Sequence, residues 1–220
     1  FRRVLFRSPQ WAPAAAGADS PSGERATVAE AGAADNGLSS EVDAGSECSH
    51  YCEGAAQLEL GTGFFRPESR PSRDLGMLLA GVLGTAEGGL SVLDLMAGCG
   101  IRALRYGLEA DAQAVWANDA DADRLPWLRR NLAPLAGEGS TGLRPRVTAL
   151  TAQKLLARCL LGEQRFDLVD LDAFGCPTAL VQPALEALRF GGVLYLASTD
   201  GRSPTGHDRR AAIRSLGAAA

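Results

Sequence analysis

An apolar run in the second half of the chain ends in a carboxylate, an aromatic ring and a glycine. Residues 166–171 form the run, and Asp172, Ala173, Phe174 and Gly175 follow it. Because a buried strand normally excludes charge, Asp172 is predicted to face a ligand beyond the strand end, where Phe174 could stack on a planar group. The alternative is a β-turn that Asp172 caps, with Phe174 in the core. The first interpretation predicts chemistry on a nucleobase-like substrate.

A glycine turn is the second candidate site. Gly98 and Gly100 separate a predicted strand from a predicted helix, so a ligand can approach the backbone and the unpaired N–H groups of the helix start. Leu104 stands in the place of the third glycine of the dinucleotide fingerprint, which argues against a pyrophosphate. Asp119 ends the next predicted strand, where it could accept hydrogen bonds from two ribose hydroxyls or instead cap a helix. Together these residues indicate an adenosine-type ligand.

If that ligand is S-adenosylmethionine, its carboxylate needs a partner. Arg73 and Arg102 are the candidates, because a guanidinium holds a carboxylate in a fixed two-bond geometry. Arg102 could instead be a solvated residue of the first helical turn.

The elements that must position these residues alternate regularly from Leu90 onward. The predicted strands are 91–95, 114–117, 146–150, 166–171 and 193–197, and the predicted helices are 101–109, 121–132, 153–161, 178–189 and 208–219. This order predicts an α/β fold with a doubly wound, mostly parallel, Rossmann-like sheet and ligands beyond the carboxyl ends of its strands. Sheets of this class commonly have further strands, so we expect a chain truncated at its C-terminus.

Charge and composition divide the chain into three parts. Residues 1–47 are rich in small residues and acids without apolar periodicity, which predicts disorder, and residues 48–89 are interpreted as a substrate-binding extension of the core at 90–220.

The net charge of −4 is distributed unevenly: it is the sum of −5 for the residues through Gly63 and +1 for the residues beyond it. Arginines recur in the later part, and phosphate contact and solvated helix faces both remain open as explanations.

The cysteines and the apolar runs limit the compartments and the partners that the protein can have. Five scattered cysteines suggest reduced thiols in a reducing compartment, and no run approaches the roughly 20 apolar residues of a membrane span. Cys48, His50 and Cys52 lie close together, but no second ligand cluster follows, so no metal is expected. We predict a cytoplasmic protein, with the plastid as alternative because the arginine-bearing, acid-poor opening weakly resembles a transit peptide.

Six ordered segments resemble the tRNA guanine-26 N2-dimethyltransferases, over about residues 53–200. The segments are Glu53-Gly54-Ala55-Ala56, Phe64-Phe65-Arg66-Pro67, Arg73-Asp74-Leu75, the stretch from Gly98 to Tyr106, Asn118-Asp119, and Asp170-Leu171-Asp172-Ala173-Phe174-Gly175. The resemblance implies S-adenosylmethionine as cofactor and tRNA as substrate. It implies that Arg73, Arg102 and Asp119 contact the cofactor, that Phe64 and Phe174 sandwich the target guanine, and that Asp172 faces its exocyclic N2.

The candidate site residues follow from the motifs and the resemblance together. Asp172 is the catalytic candidate, and the base-binding candidates are Phe64, Ala173, Phe174 and Gly175. The cofactor-binding candidates are Arg73, Asp94, Gly98, Gly100, Arg102, Asp119, Thr151 and Ala152. Two positions depart from the family: Ala173 replaces a usual proline, and Thr151-Ala152 replaces an Asp-Ala pair that reads the adenine.

The predicted function is therefore methylation of the N2 of a tRNA guanine by a monomeric protein that needs neither a metal nor a membrane. Two alternatives stay open. The chain could methylate another nucleobase or a small amine, or it could be a catalytically impaired RNA-binding relative. The C-terminal tRNA-binding domain of the family is not recognisable in this sequence.

Overall fold

The computed structural model describes residues 3–7, 50–61, 63–84, 89–136, 143–175, 177–200 and 207–216. The strands in these ranges are β1 (Arg3–Arg7), β2 (His50–Glu53), β3 (Ala56–Glu59), β4 (Leu90–Asp94), β5 (Ala112–Asn118), β6 (Arg146–Thr148), β7 (Phe166–Ala173) and β8 (Leu188–Ser198). The α-helices are α1 (Arg70–Gly84), α2 (Ile101–Glu109), α3 (Leu125–Leu132), α4 (Ala152–Leu161), α5 (Thr178–Glu186) and α6 (Arg209–Leu216). Across these ranges, every helix is too short or too polar to cross a membrane.

Six strands form one sheet in the order β1-β8-β7-β4-β5-β6, and every neighbouring pair is parallel. Parallel neighbours need crossover connections, which α2 to α5 provide. The chain starts the regular part at the central strand β4, moves outward to β6, and returns on the other side with β7. The strand order therefore reverses between β4 and β7, which is where such sheets bind ligands. The predicted doubly wound parallel sheet is confirmed.

Helices cover both faces of the sheet, because strand side chains alternate between the two faces. On one face, α2 and α3 enclose a cluster that includes Val92, Leu104 and Leu168. On the other, α4 and α5 cover Leu93, which shares a cluster with Leu155 of α4. Each fully buried leucine stabilises the fold by about 1.5–3 kcal/mol through the surface it removes from water. These two layers fix the strand ends that carry the site.

The segment before β4 packs on the same core. β2 and β3 pair as an antiparallel hairpin, which turns at Gly54 with a φ of 58°. Tyr51 of the hairpin and Met77 of α1 belong to the apolar cluster that contains Val92. The extension therefore holds the loop between β3 and α1 next to the carboxyl edge of the sheet.

Two predicted elements differ from the structure. Arg3–Arg7 forms strand β1 against β8, so the disorder predicted for 1–47 is wrong for these five residues; the rest of that segment lies outside the described residues. The helix predicted for 178–189 ends at Glu186, and β8 begins at Leu188 rather than 193. The reason is that Leu188 pairs with Phe166 at the start of β7.

Candidate functional site

A crevice of about 920 Å³ opens at the carboxyl ends of β4, β5, β7 and β8. It lies beside the reversal in strand order, and its volume is that of a small-molecule site. Most of the predicted site residues line it. They are Phe64, Arg73, Gly98, Arg102, Asp119, Ala152, Asp172, Ala173 and Phe174.

Four predicted residues do not line the crevice. Asp94 lies below it, at the end of β4, and is 1% exposed. Gly100 has a φ of 87°, and a Cβ there would lie 2.6 Å from Leu128 Cδ1, so this glycine is explained by packing. Asp94 and Gly100 thus support the floor of the crevice rather than present groups to a ligand.

Thr151 and Gly175 are the other two, and local hydrogen bonds explain both. Thr151 caps α4, since its Oγ1 accepts a 3.4 Å hydrogen bond from the Lys154 N–H. The Gly175 N–H donates to Thr199 Oγ1 at 2.6 Å, which ties the loop after β7 to the end of β8. Helix capping accounts for the Thr151 side chain in this structure, and its role as an adenine contact stays a prediction.

Gly98 and Asp119 shape the part of the crevice above β4 and β5. Gly98 has a φ of 56°, and no atom lies within 4 Å of the place that a Cβ would occupy, so its backbone borders open space. Its N–H donates to Asp119 Oδ2 at 2.9 Å, and Asp119 Oδ1 accepts from the Asp121 N–H at 2.9 Å. Each carboxylate oxygen keeps a lone pair for a further donor. This corner fits a ligand with neighbouring hydroxyls.

Arg73 is held by a buried glutamate. Its Nε and Nη2 donate to the two oxygens of Glu53 at 2.7 and 2.6 Å, and Nη1 and Nη2 also donate to the carbonyls of Arg66 and Pro67. Glu53 accepts further bonds from Arg105 Nη1 at 2.6 Å and from the Tyr51 hydroxyl at 2.9 Å. Counting the bonds to described residues, Arg73 keeps one Nη1 N–H for a ligand in the crevice.

Glu53 remains a carboxylate in this environment. Burial alone would raise its pKa, but the hydrogen bonds and charge of Arg73, with smaller effects from Tyr51 and Arg105, lower the pKa below its usual value. Glu53 thus joins the β2–β3 hairpin to α1 and α2 through charged hydrogen bonds.

Arg102 is bound to the predicted catalytic acid. Its Nε and Nη2 donate to Asp172 Oδ2 at 3.1 and 3.0 Å, while Nη2 also donates to Ser72 Oγ at 3.2 Å and Nη1 to Asp170 Oδ2 at 3.4 Å. The guanidinium carbon lies 5.2 Å from the centre of the Tyr195 ring. No described residue donates to Asp172 Oδ1, so this oxygen can accept a donor from a ligand.

Asp170 and Asp94 form a buried carboxyl pair beneath Arg102. They occupy paired positions of β7 and β4, and each has one buried oxygen without a hydrogen-bond partner among the described residues, Asp170 Oδ1 and Asp94 Oδ2. The Tyr106 hydroxyl donates to the other Asp170 oxygen at 2.5 Å. Burial raises the pKa of both acids, and the charge of Asp170 raises that of Asp94 further. We expect Asp94 to hold a proton.

Replacing Asp94 with asparagine should make the protein more stable at neutral pH. A carboxyl whose folded-state pKa is raised contributes stability below its unfolded pKa, near 3.9, and loses it as the pH rises toward the folded value. Asparagine has no such loss, so its stability advantage over aspartate should grow as the pH rises from about 4 toward neutrality. Urea unfolding of both proteins across this range measures the difference. A difference that stays constant with pH would contradict the protonation of Asp94.

Phe64 and Phe174 meet at the mouth of the crevice. Their ring centres lie 5.0 Å apart at 70°, and the side chains are 61% and 72% exposed. A base between two parallel rings needs a separation of about 7 Å, twice a contact distance of roughly 3.5 Å. The rings must therefore part and turn before they can hold a base.

Cys99 lies within the glycine turn but is a poor nucleophile. Burial raises the pKa of its thiol to about 11, so it stays protonated at neutral pH. Cys48 of the Cys48-His50-Cys52 cluster lies outside the described residues. Among those described, no group of three or more His, Cys, Asp and Glu side chains could hold a metal ion.

Several residues of the site were not predicted. The sequence does indicate a role for Asp170, because it precedes Asp172 by two positions on the same strand and the two side chains therefore share a face of the sheet. Glu53 and Tyr106 lie in segments that carry the family resemblance, but the sequence did not show their roles. Ser72 and Tyr195 had no signal. All four act through partners distant in the sequence. Arg124 lines the crevice, and its guanidinium packs so closely on Gly63 that a side chain there would collide with it.

Comparisons with known proteins agree with this geometry. The family model of N2,N2-dimethylguanosine tRNA methyltransferases matches residues 55–220. A tRNA (guanine(26)-N(2))-dimethyltransferase of Thermococcus kodakarensis is 33% identical over 159 residues, which cover 69% of this chain and 41% of the relative. A protein of the same name from Mus musculus is 35% identical over 115 residues, 52% of this chain and 17% of the relative.

A solved structure extends the similarity to three dimensions. Trm1 from Pyrococcus horikoshii, in complex with S-adenosyl-L-methionine, has a TM-score of 0.64 and 29% identity over 76% of this chain and 47% of its own. The chain spans about two fifths of the length of the archaeal relative from Thermococcus kodakarensis. The family match covers most of the chain. This chain therefore belongs to the N2,N2-dimethylguanosine tRNA methyltransferase family.

Proposed function

We propose that this chain carries the catalytic crevice of a methyltransferase that transfers methyl groups from S-adenosylmethionine to the exocyclic N2 of a guanine in tRNA. The main support is one geometric observation. The crevice brings together Asp172, the Phe64–Phe174 pair and the Gly98–Asp119 corner around a single space. We further propose that the guanine is at position 26 and that two rounds give a dimethylamino group.

The residues present fit the cofactor. Gly98 leaves room for close approach, Asp119 can accept bonds from ribose hydroxyls, and Ala152 borders the crevice where the adenine ring would lie. Arg73 offers its remaining N–H to the carboxylate of the amino-acid tail. When bound, the cofactor supplies an electrophilic methyl group on a sulfonium sulfur.

Asp172 can act as the general base that removes a proton from N2 of the target guanine. Guanine N2 is a poor nucleophile because its lone pair is delocalised into the ring. A carboxylate oxygen that accepts an N–H bond from N2 localises that pair and receives the proton, which is general base catalysis. Asp172 Oδ1 has no described donor, and the side chain is 40% exposed, so the proton can pass on to water.

The Phe64–Phe174 pair should contribute to binding of the target guanine. Replacing Phe174 with alanine should raise KM for tRNA by about 5- to 150-fold, since stacking contributes roughly 1–3 kcal/mol per base. Affinity for S-adenosylhomocysteine should not change. Steady-state kinetics and calorimetry measure the two effects. Phe190, which is 94% exposed on β8, offers a matched control; equal effects of Phe174→Ala and Phe190→Ala would contradict the stacking role.

The direct test of the function is a labelling experiment. The purified protein is incubated with unmodified tRNA and methyl-labelled S-adenosylmethionine, and the tRNA is digested to nucleosides. Label in N2-methylguanosine and N2,N2-dimethylguanosine is expected, and it should disappear when guanine 26 is replaced. Label only in another nucleoside, or preferential labelling of DNA, would refute the assignment.

The remaining expectations concern the protein in the cell. We propose tRNA as the partner, a monomeric state without a required metal, and a cytoplasmic location with the plastid as alternative. Sedimentation with and without tRNA tests the oligomeric state, and a fluorescent fusion of the full-length protein tests the compartment.

A further inference from the structure

We propose that Arg102 is shared between Asp172 and the cofactor: its hydrogen bonds position Asp172, and the carboxylate tail of the cofactor competes for the same guanidinium. The inference rests on the proposed function, because it assumes a ligand with a carboxylate tail. It adds that cofactor binding releases the catalytic carboxylate.

The hydrogen bonds of Arg102 carry the first step. Of its five N–H groups, two go to Asp172 Oδ2, one to Ser72 and one to Asp170, which leaves a single Nη1 N–H without a described partner. A guanidinium holds a carboxylate best with two parallel N–H bonds. A tail that takes such a pair from Arg102 must therefore displace one of its present partners.

The difference in burial between Asp170 and Asp172 determines which of the two a tail can displace from Arg102. Asp170 has no exposed side-chain surface, whereas the Asp172 side chain is 40% exposed. Breaking a fully buried ion pair is far more costly than breaking one whose carboxylate can turn to water. Asp172 is thus the partner that can be displaced, while Asp170 keeps the guanidinium at the floor of the crevice.

Arg73 cannot take over this role. Its partner Glu53 has no exposed side-chain surface and accepts bonds from Arg73, Arg105 and Tyr51. Turning Arg73 fully toward a tail would leave Glu53 short of donors in the interior. Of the two arginines expected at the tail, Arg102 is the one with a displaceable carboxylate.

The consequence is an order of events. While Arg102 donates two bonds to Asp172 Oδ2, it fixes the orientation of this carboxylate and leaves only Oδ1 for the N–H groups of an incoming base. Once the carboxylate tail accepts hydrogen bonds from Arg102, Asp172 is free to turn toward the guanine. Both oxygens of Asp172 therefore become available to the guanine only when the methyl donor is in place.

Calorimetric titration with two ligands tests the inference without measuring activity. S-adenosylhomocysteine carries the tail, and methylthioadenosine has the same nucleoside without it. Asp172→Asn should tighten S-adenosylhomocysteine about tenfold, because a charged competitor for the guanidinium is gone. Methylthioadenosine should bind equally to both proteins. Asp111→Asn, an exposed acid remote from the crevice, is the charge-matched control and should change neither constant.

A second background separates competition from simple repulsion between Asp172 and the tail. Arg102→Lys keeps the positive charge but lacks the two-bond geometry. Competition predicts that the tightening by Asp172→Asn shrinks in the Arg102→Lys background; tightening of undiminished size would overturn the inference. Unchanged or weaker S-adenosylhomocysteine binding by Asp172→Asn, or equal tightening of both ligands, would also overturn it.

The two proposals can fail separately. If wild type binds both ligands but Asp172→Asn does not favour S-adenosylhomocysteine, the shared arginine is refuted and the cofactor site stands. If a folded wild type, verified by circular dichroism, binds neither ligand, the proposed function is refuted and the inference with it.

Discussion

Methyl transfer by the Asp172→Asn variant should be slower than wild type by about 10²–10⁴-fold, the usual contribution of a general base. Asparagine keeps the size of the side chain and can still meet Arg102 through its amide oxygen. It cannot take up the proton that N2 must lose. The variant should therefore fold and bind cofactor but fail at the chemical step.

The kinetic pattern identifies this role. An interaction made only in the transition state lowers kcat and kcat/KM by the same factor, whereas lost substrate binding raises KM. Single-turnover transfer to unmodified tRNA measures the step directly, with Asp111→Asn as the charge control. Turnover close to wild type would remove Asp172 from the mechanism, and a raised KM alone would make it a binding residue.

The fold and one side of the site were predictable because their causes are local. Alternating apolar runs and helical periods establish a parallel sheet, and a parallel sheet gathers the carboxyl ends of its strands at one edge. Gly98, Asp119 and Asp172 each follow such an end, so they meet in one crevice. No knowledge of distant partners is needed for that step.

The arginines were harder to predict because their partners are distant in sequence. A guanidinium satisfies a protein carboxylate and a ligand carboxylate equally well. Only the three-dimensional structure places Glu53 against Arg73 and Asp172 against Arg102. Thr151 shows a related ambiguity, since the same hydroxyl can cap a helix or face a ligand, and only the structure shows that it caps α4.

Glu53, the buried carboxylate that Arg73 and Arg105 share, should be essential for stability. Replacing Glu53 with glutamine keeps its shape but removes the only buried counter-charge of Arg73 among the described residues. Leaving one member of a buried ion pair uncompensated typically costs about 3–5 kcal/mol. For a protein of this size, that corresponds to a melting temperature lower by roughly 6–20 °C.

Glu109 offers a matched control, because it also pairs with Arg105, at 2.8 Å, but its side chain is 21% exposed. Glu109→Gln should cost at most about 1 kcal/mol. Thermal and urea unfolding at pH 7 compare the two variants. Similar losses in both would show that burial of Glu53 adds nothing to its ion pairs.

The pH dependence gives an independent check on Glu53. Its pKa is lowered in the folded protein, so its ion pairs contribute stability that is full above the unfolded pKa, near 4.3, and is lost as the pH falls through the folded value. The stability difference between wild type and Glu53→Gln should therefore be constant at neutral pH and shrink below about pH 4. A difference that persists undiminished into acid would mean that Glu53 acts through its shape and not through its charge.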